Sequence, residues 1–306
     1  MLSILGLDFG GTKLAAGLVD PASGAVLRST RCPTPPGGAP ASLAAMLALA
    51  RGLLHSPSAD PRSSGSILSA VGVSFGGPIA PDGRTVRRSM HVPGWEDFPL
   101  AGRLEAELGA PAAVANDGDA AALAEQRFGA GRGVGTLLYI TVSTGIGGGV
   151  IVGGQLHRGE HAWAGEFGHM PLLKDGPPCP CGRHGCLESL ASGLSLAREA
   201  RARLPHLGPA PTAADVAAAA ARGDTAARAV WDEAMAWLGM AVAAATNLLN
   251  PGRVVIGGGL AQAGELLFAP VRREVAARAL DPCPVVPAAL GTDVGIIGGA
   301  ALVLRG

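Results

Sequence analysis

The sequence predicts an α/β protein of two similar halves, from three observations. Short β-type apolar runs alternate with helix-type runs along the chain. An apolar strand, a Gly/Thr turn and a second apolar strand occur at LGLDFGGTKLAAGLV and return loosely at YITVSTGIGGGVIVGGQL. The 306 residues suffice for two domains, each with its own core. One such hairpin per half predicts two domains facing each other across a cleft.

The elements follow in order. Residues 2–7 form an apolar strand, DFGGT a tight turn, KLAAGLVD the returning strand and, after a PASG turn, AVLRSTR a third. PTPPGGAP is a loop, and SLAAMLALARGLL is helical by its Leu and Met spacing. SAVGVSF is a strand closed by a GGP turn, residues 99–108 a helix, AAVA a short strand and AAALAEQRF a helix. TLLYITV and GVIVGG are strands, and 188–204, 212–222 and 224–249 are helices. RVVIGGG is a strand with a glycine turn, followed by a long helix, a short strand and a terminal helix, VGIIGGAALVL. No period of about 20–50 residues repeats closely, so the chain is not a solenoid.

Charge and composition narrow the function. Lys+Arg and Asp+Glu both number 24, so the formal net charge is zero. A nucleic-acid partner would normally leave a basic excess, and none is expected. The most apolar stretch, AMAWLGMAVAAATNLL, is shorter than the roughly 20 residues of a membrane span and contains Thr246 and Asn247. It reads as a buried core helix, with no membrane partner. The opening MLSILGLDFGG has neither a basic region nor a cleavage site, and the cysteines number five. Both point to a reducing, cytoplasmic setting.

Three glycine turns lie at strand ends. In GLDFGGTK the glycines Gly6 and Gly11 have P-loop spacing, but Thr-Lys replaces Lys-Ser/Thr and β-type sequence follows. Such a turn can be an ordinary hairpin. It can also hold phosphate, because Gly10 and Gly11 let backbone N–H groups approach anionic oxygens and Thr12 adds a hydroxyl. Asp8 can hold Mg²⁺ directly or through water. STGIGGG at 143–149 precedes a strand, so the dinucleotide fingerprint fails on context. VVIGGGLA at 254–261, read as strand, glycines and helix, suits a nucleotide at a helix N-terminus.

The stretch GHMPLLKDGPPCPCGRHGCLE holds Cys179, Cys181 and Cys186 within eight positions. Cys179 and Cys181 are too close in sequence to bridge comfortably. Thiolates and an imidazole at this spacing suit tetrahedral zinc, with His169 or His184 as the fourth ligand. Free thiols in a loop are the alternative. Further upstream, AVANDGDAAALAEQ places Asn116 and Asp117 where a strand meets a helix, which suits helix capping as well as chemistry.

DFGGTK, TVSTGIGGGV and GHM…CPCGRHGCLE together resemble the ROK family (repressors, open reading frames and sugar kinases), from Asp8 to the terminal GIIGGAAL. The resemblance implies the two-domain actin/hexokinase-like (ribonuclease H-like) ATPase fold, with ATP and sugar meeting in the interdomain cleft. It places a small domain at 1–115, completed by a last helix at about 291–306, and a large zinc-bearing domain at 116–290. It implies Mg²⁺-ATP beside Asp8, Gly10, Gly11, Thr12 and Lys13 in one half, and Thr144, Gly145, Gly258 and Gly259 in the other. It selects His169 as the fourth ligand to structural Zn²⁺ and assigns Glu166, His169 and Glu188 to sugar hydroxyls. Gly76 and Gly77 would offer backbone contacts to the sugar. Asn116 would orient the sugar, and Asp117 would act as general base.

The activity implied is ATP-dependent phosphorylation of a hexose, with glucose at the 6-hydroxyl first. N-acetylmannosamine, N-acetylglucosamine and fructose are the alternatives. A sugar sensor or ROK repressor is the other class, but a strand beginning at Leu2 leaves no room for a preceding DNA-binding domain. Relatives are often dimers or tetramers, so a homo-oligomer is expected. Two departures stand out. The family's Asn-Asp-Ala-Asn reads Asn-Asp-Gly-Asp here, so that Asp119 brings charge near the base. His91 stands where many relatives have asparagine, and it reads with His157 and His161 as a loop histidine. Cys32 and Cys283 read as packing cysteines.

Overall fold

The computed structural model describes residues 2–55, 67–89 and 91–304. They fall into two compact units: Met1–Arg132 with Gln155–Ala164 and Ala289–Gly306, and Gly133–Gly154 with Gly165–Ala288.

The first unit is built on a sheet of β1 (Leu2–Phe9), β2 (Lys13–Val19), β3 (Val26–Pro33), β4 (Ile67–Phe75) and β5 (Ala112–Asn116), in the order β3-β2-β1-β4-β5. β1, β2 and β3 are antiparallel in turn, while β4 and β5 run parallel to β1. Side chains alternate across β1. Leu5, Leu7 and Phe9 face the core shared with helix α1 (Gly38–His55), through its Leu43, Met46 and Leu47, and with α2 (Leu100–Leu108). Ile4 joins the opposite core with Ile296 and Ala300 of α9 (Val294–Leu302).

That second face works only because glycine lies under α9. A Cβ at Gly6 would run into the Ile296 carbonyl, and one at Gly72 into that of Gly299. Gly298 and Gly299 of GIIGGAAL likewise face the Ala120 and Gly72 carbonyls, so they serve backbone-to-backbone packing, which the apolar pattern alone does not display.

Helix α3 (Asp117–Phe128) packs against α9 and the β4–β5 edge. It therefore belongs to the first unit, and the division falls after Arg132 rather than at about residue 115. Glu125 of α3 is fully buried and accepts from Ala130, Ala289 and Leu290 N–H, which ties the returning C-terminal segment to this helix. Gln155–Ala164, opening with the two-residue strand β8 (Gln155–Leu156), also belongs to this unit.

The second unit repeats the plan. Its strands β6 (Leu137–Val142), β7 (Ile146–Val152), β9 (Arg253–Gly257) and β10 (Val285–Pro287) belong to a five-stranded sheet of order β10-β9-β6-β7-β8, which corresponds to β5-β4-β1-β2-β3. β6–β7 is an antiparallel hairpin, and β9 is parallel to β6, as β4 is to β1. Both hairpins predicted from the recurring sequence pattern are present.

Helices α4 (Leu187–Ala191), α5 (Gly193–Arg203), α6 (Ala213–Ala221), α7 (Thr225–Leu249) and α8 (Glu265–Arg278) complete this unit. The expected helix at 188–204 is broken at Ser192, whose side chain accepts from Ser195 N–H and caps α5. α7 buries Trp231, Met235, Leu238 and Val242, with Trp231 Nε1 donating to the Leu266 carbonyl at 2.9 Å. Thr246 satisfies its hydroxyl on the Val242 carbonyl. Among the described residues, no helix is long and apolar enough to cross a membrane.

Candidate active site

In the first unit the predicted residues gather at the carboxyl ends of the parallel strands, where α/β sheets place ligands. Asp8 lies one residue from the end of β1, in register with Ser74 of β4, and Phe75 is in register with Asn116 of β5. Ser74 Oγ donates to Asp8 Oδ1 at 3.1 Å. The carboxylate also presses on the first turn of α9: a Cβ at Gly295 would lie 2.6 Å from Oδ1. Burial pushes the Asp8 carboxyl up, while the Ser74 bond and the charges of Lys13 and Arg31 pull the other way.

The turn after β1 is closed by Gly10 N–H donating to the Lys13 carbonyl at 3.1 Å. Thr34 holds it from outside, with Oγ1 donating to the Gly10 carbonyl at 2.8 Å and N–H to the Thr12 carbonyl at 3.0 Å. Gly11, Thr12 and Lys13 are exposed. His91, assigned to a loop from sequence, packs its ring on Gly11. The two residues line a pocket of about 620 Å³ with Thr34, Gly38 and Pro93. No sequence signal foretold that pairing, because 80 positions of chain separate the two residues.

Asn116 ends β5 and caps α3. Its Oδ1 accepts from Gly118 N–H at 2.9 Å, and its Nδ2 donates to the Gly77 carbonyl at 3.1 Å. The capping reading therefore describes Asn116. Asp117 is the first helical residue and is exposed, with Oδ1 accepting from Gly118 N–H at 2.9 Å. Gly77, Asn116 and Asp117 are thus brought together by one side chain.

In the second unit the glycine turns again lie at carboxyl strand ends. Thr144 and Gly145 make the β6–β7 turn, and Gly258 and Gly259 follow β9. The Thr144 carbonyl accepts from Leu194 N–H at 3.1 Å. One expectation changes here. The glycines after β9 open a 3₁₀ turn, Gly259–Ala263, and α8 begins only at Glu265. No α-helix N-terminus follows the glycines directly, because Gly264 interrupts the run with φ +59°.

Glu188, in the first turn of α4, accepts from Ile146 N–H on Oε2 at 2.8 Å. The same oxygen occupies the space that a Cβ on Gly145 would need. Glu166 lies 3.8 Å from His169 Nε2. Burial pushes the Glu166 carboxyl up; His169 opposes this and Glu188 adds to it.

The ligand atoms of His169, Cys179, Cys181 and Cys186 all lie within 4.8 Å of one another. His169 Nδ1 is 3.7 Å from Cys179 Sγ, and Cys181 Sγ is 3.7 Å from Cys186 Sγ. The edges of a tetrahedron around zinc, with ordinary Zn–S and Zn–N bonds, measure about 3.6–3.8 Å. The donor set and these two separations fit zinc. His184 stands apart from this group, with Nδ1 at 3.2 Å from the Gly176 carbonyl. The cysteine loop is closed on itself by Cys179 N–H on the Arg183 carbonyl, and Leu187 N–H donates to the Met170 carbonyl across its base.

Two α/β units, each with a glycine hairpin at the carboxyl edge of a mixed sheet, define the actin/hexokinase-like fold. The chain belongs to the ROK family, whose model matches residues 4–305. It is 34% identical over 317 residues to the glucokinase of Streptomyces coelicolor, covering 97% of this chain and 96% of that one. Among solved structures, a ROK hexokinase from Thermus thermophilus superposes with a TM-score of 0.84 at 35% identity, over 98% of this chain and 97% of the other. A ROK family glucokinase from Streptomyces griseus, in complex with glucose and AMPPNP, gives 0.81 at 34% identity, over 99% and 100%.

Proposed function

We propose that this protein transfers the γ-phosphoryl group of ATP to the 6-hydroxyl of glucose. The observation that carries the reading is the β5–α3 junction: Asn116, fastened to Gly77, sets Asp117 exposed on the first turn of α3. This sits in a chain that matches a glucose- and AMPPNP-bound relative over 99% of its length.

Phosphoryl transfer asks the protein mainly for positioning and charge stabilisation. Asp117 accepts the proton of the 6-hydroxyl as its oxygen attacks the γ-phosphorus; the bond from that phosphorus to the bridging oxygen breaks, and ADP leaves. Gly10 shapes the turn, Gly11 and Thr12 offer N–H groups and a hydroxyl to phosphate, and Lys13 adds positive charge. Thr144, Gly145, Gly258 and Gly259 belong to the nucleotide-binding set of the second unit. Glu166, His169 and Glu188 bind sugar hydroxyls. Asp8, a single carboxylate beside the phosphate turn, fits the usual magnesium arrangement of few protein ligands plus phosphates and water. Bound Mg²⁺ would neutralise charge on the transferring phosphate.

His169, Cys179, Cys181 and Cys186 would hold one zinc ion, and four protein ligands make that site structural. Its role is to pin the loop so that Glu166 and Glu188 keep their places beside His169. His169 Nδ1 faces the cysteines while Nε2 points towards Glu166, so one ring can serve both metal and sugar. A cytoplasmic, reducing setting suits such thiols.

A coupled ADP-release assay with Mg²⁺-ATP tests the reading across glucose, mannose, fructose, N-acetylglucosamine and N-acetylmannosamine. Glucose is expected to give the highest kcat/KM. Preference for an N-acetylated sugar would reassign the substrate, and no turnover from zinc-replete protein would overturn the kinase reading.

A further inference from the structure

We propose that Arg158 and Asp119 form a positioning pair that sets the first turn of α3, and through it Asp117; the proposal rests on the kinase reading above. Asp119, the third residue of α3, is only 6% exposed. Its Oδ2 lies 3.7 Å from Nε of Arg158, whose side chain is 22% exposed. Arg158 comes from Gln155–Ala164, which belongs to the same unit as α3 although the chain before and after it belongs to the other.

The guanidinium bears on both sides of the β5–α3 junction. On the helix side it pairs with Asp119, two residues after Asp117. On the strand side its Nη1 would lie 3.2 Å from a Cβ at Gly83, and the Gly83 carbonyl accepts from Val114 N–H of β5 at 2.8 Å. Val114 is two residues before Asn116. Arg158 thus lies between the turn at Gly83, which is bonded to β5, and the first turn of α3. Its backbone is fixed as well, since the Arg158 carbonyl accepts from Ala164 N–H at 3.1 Å.

Charge gives the pair its function. Asp117 and Asp119 share the first helical turn, where the dipole favours acids but the two carboxylates repel each other. Removing the guanidinium takes the opposing charge away from a buried carboxylate, a costly change that bears on the turn carrying Asp117. The other buried acid of this helix, Glu125, is occupied by three backbone N–H groups of its own.

The test compares wild type, Arg158→Gln, Asp119→Asn and the double variant. Arg158→Gln is expected to lower kcat about tenfold or more, with KM for glucose and ATP within about twofold, as displacement of a catalytic group does. Adding Asp119→Asn, which removes the carboxylate that faces Arg158, is expected to restore kcat to within about threefold of wild type. Amide exchange at Gly118–Ala120 should rise in Arg158→Gln and return in the double variant. A lower Tm with unchanged kcat in Arg158→Gln would leave the pair a purely structural contact and overturn the proposal. So would a double variant as slow as Arg158→Gln. Wild-type protein without sugar turnover would instead sink the kinase reading, and unchanged amide exchange would then overturn the positioning as well.

Discussion

The carboxylate of Glu188 accepts a hydrogen bond from the backbone N–H of Ile146 at 2.8 Å, and so binds the first turn of α4 to the glycine turn between β6 and β7. A residue assigned to sugar contact therefore also holds a turn assigned to nucleotide. Glu188→Ala removes the acceptor from a partly buried N–H. It should cost about 1–3 kcal/mol of stability and weaken glucose binding in calorimetry. Gly145→Ala should mimic part of this, because its Cβ occupies the Glu188 oxygen's position. Glucose affinity unchanged in both variants would remove Glu188 from the sugar site.

Asp117→Asn should lower kcat by about 10²–10⁴-fold, the range for loss of a general base. Binding of glucose and of AMPPNP should stay within a few-fold, and the melting temperature should hold, because Asn116 provides the cap and Asp117 is exposed. Turnover near wild type in the coupled assay would sink the assignment.

One zinc per chain is expected by atomic absorption, lost in Cys179→Ser and Cys186→Ser and kept in His184→Ala. Loss of a few kcal/mol with the metal would lower Tm by roughly 10 °C in a unit of this size. Strong chelation of wild type should reproduce the fall. Zinc lost in His184→Ala but kept in His169→Ala would exchange the two histidines.

Asp224 caps α7 by accepting from Ala226 and Ala227 N–H, and it also meets His206 at 2.6 Å. The backbone bond from Ala227, then His206, hold its carboxyl below the usual range. Its contribution is present above the ordinary aspartate pKa of about 4 and is lost as pH falls through the lowered folded value. Asp224→Ala should therefore lower Tm by a few degrees at pH 7, and the gap to wild type should close below about pH 4. A gap that stays constant with pH would mean the residue acts by packing rather than by charge.

Much was legible in the sequence because it is local. Apolar alternation with Gly/Thr turns located both hairpins, since strand faces repeat every two residues and a tight turn needs glycine. The cysteine cluster was legible for the same reason: three thiols and a histidine within 18 positions must meet if the loop closes on a metal. Asn116 was ambiguous between cap and ligand, and the structure shows that it caps α3 while holding Gly77.

Relations between distant segments lay beyond any such pattern. That His91 covers Gly11, that α3 belongs with α9, and that Arg158 returns to Asp119 depend on where the chain crosses itself. The glycines beneath α9 show the difference most directly. In sequence Gly6 and Gly72 are merely small residues in strands, and only the packed backbone reveals that any Cβ there would strike a helix. The sequence by itself determined the elements and the chemical groups, through periodicity and local spacing. Tertiary packing alone decided which of those groups meet, because long-range contacts depend on steric fit between surfaces that no single stretch of chain contains.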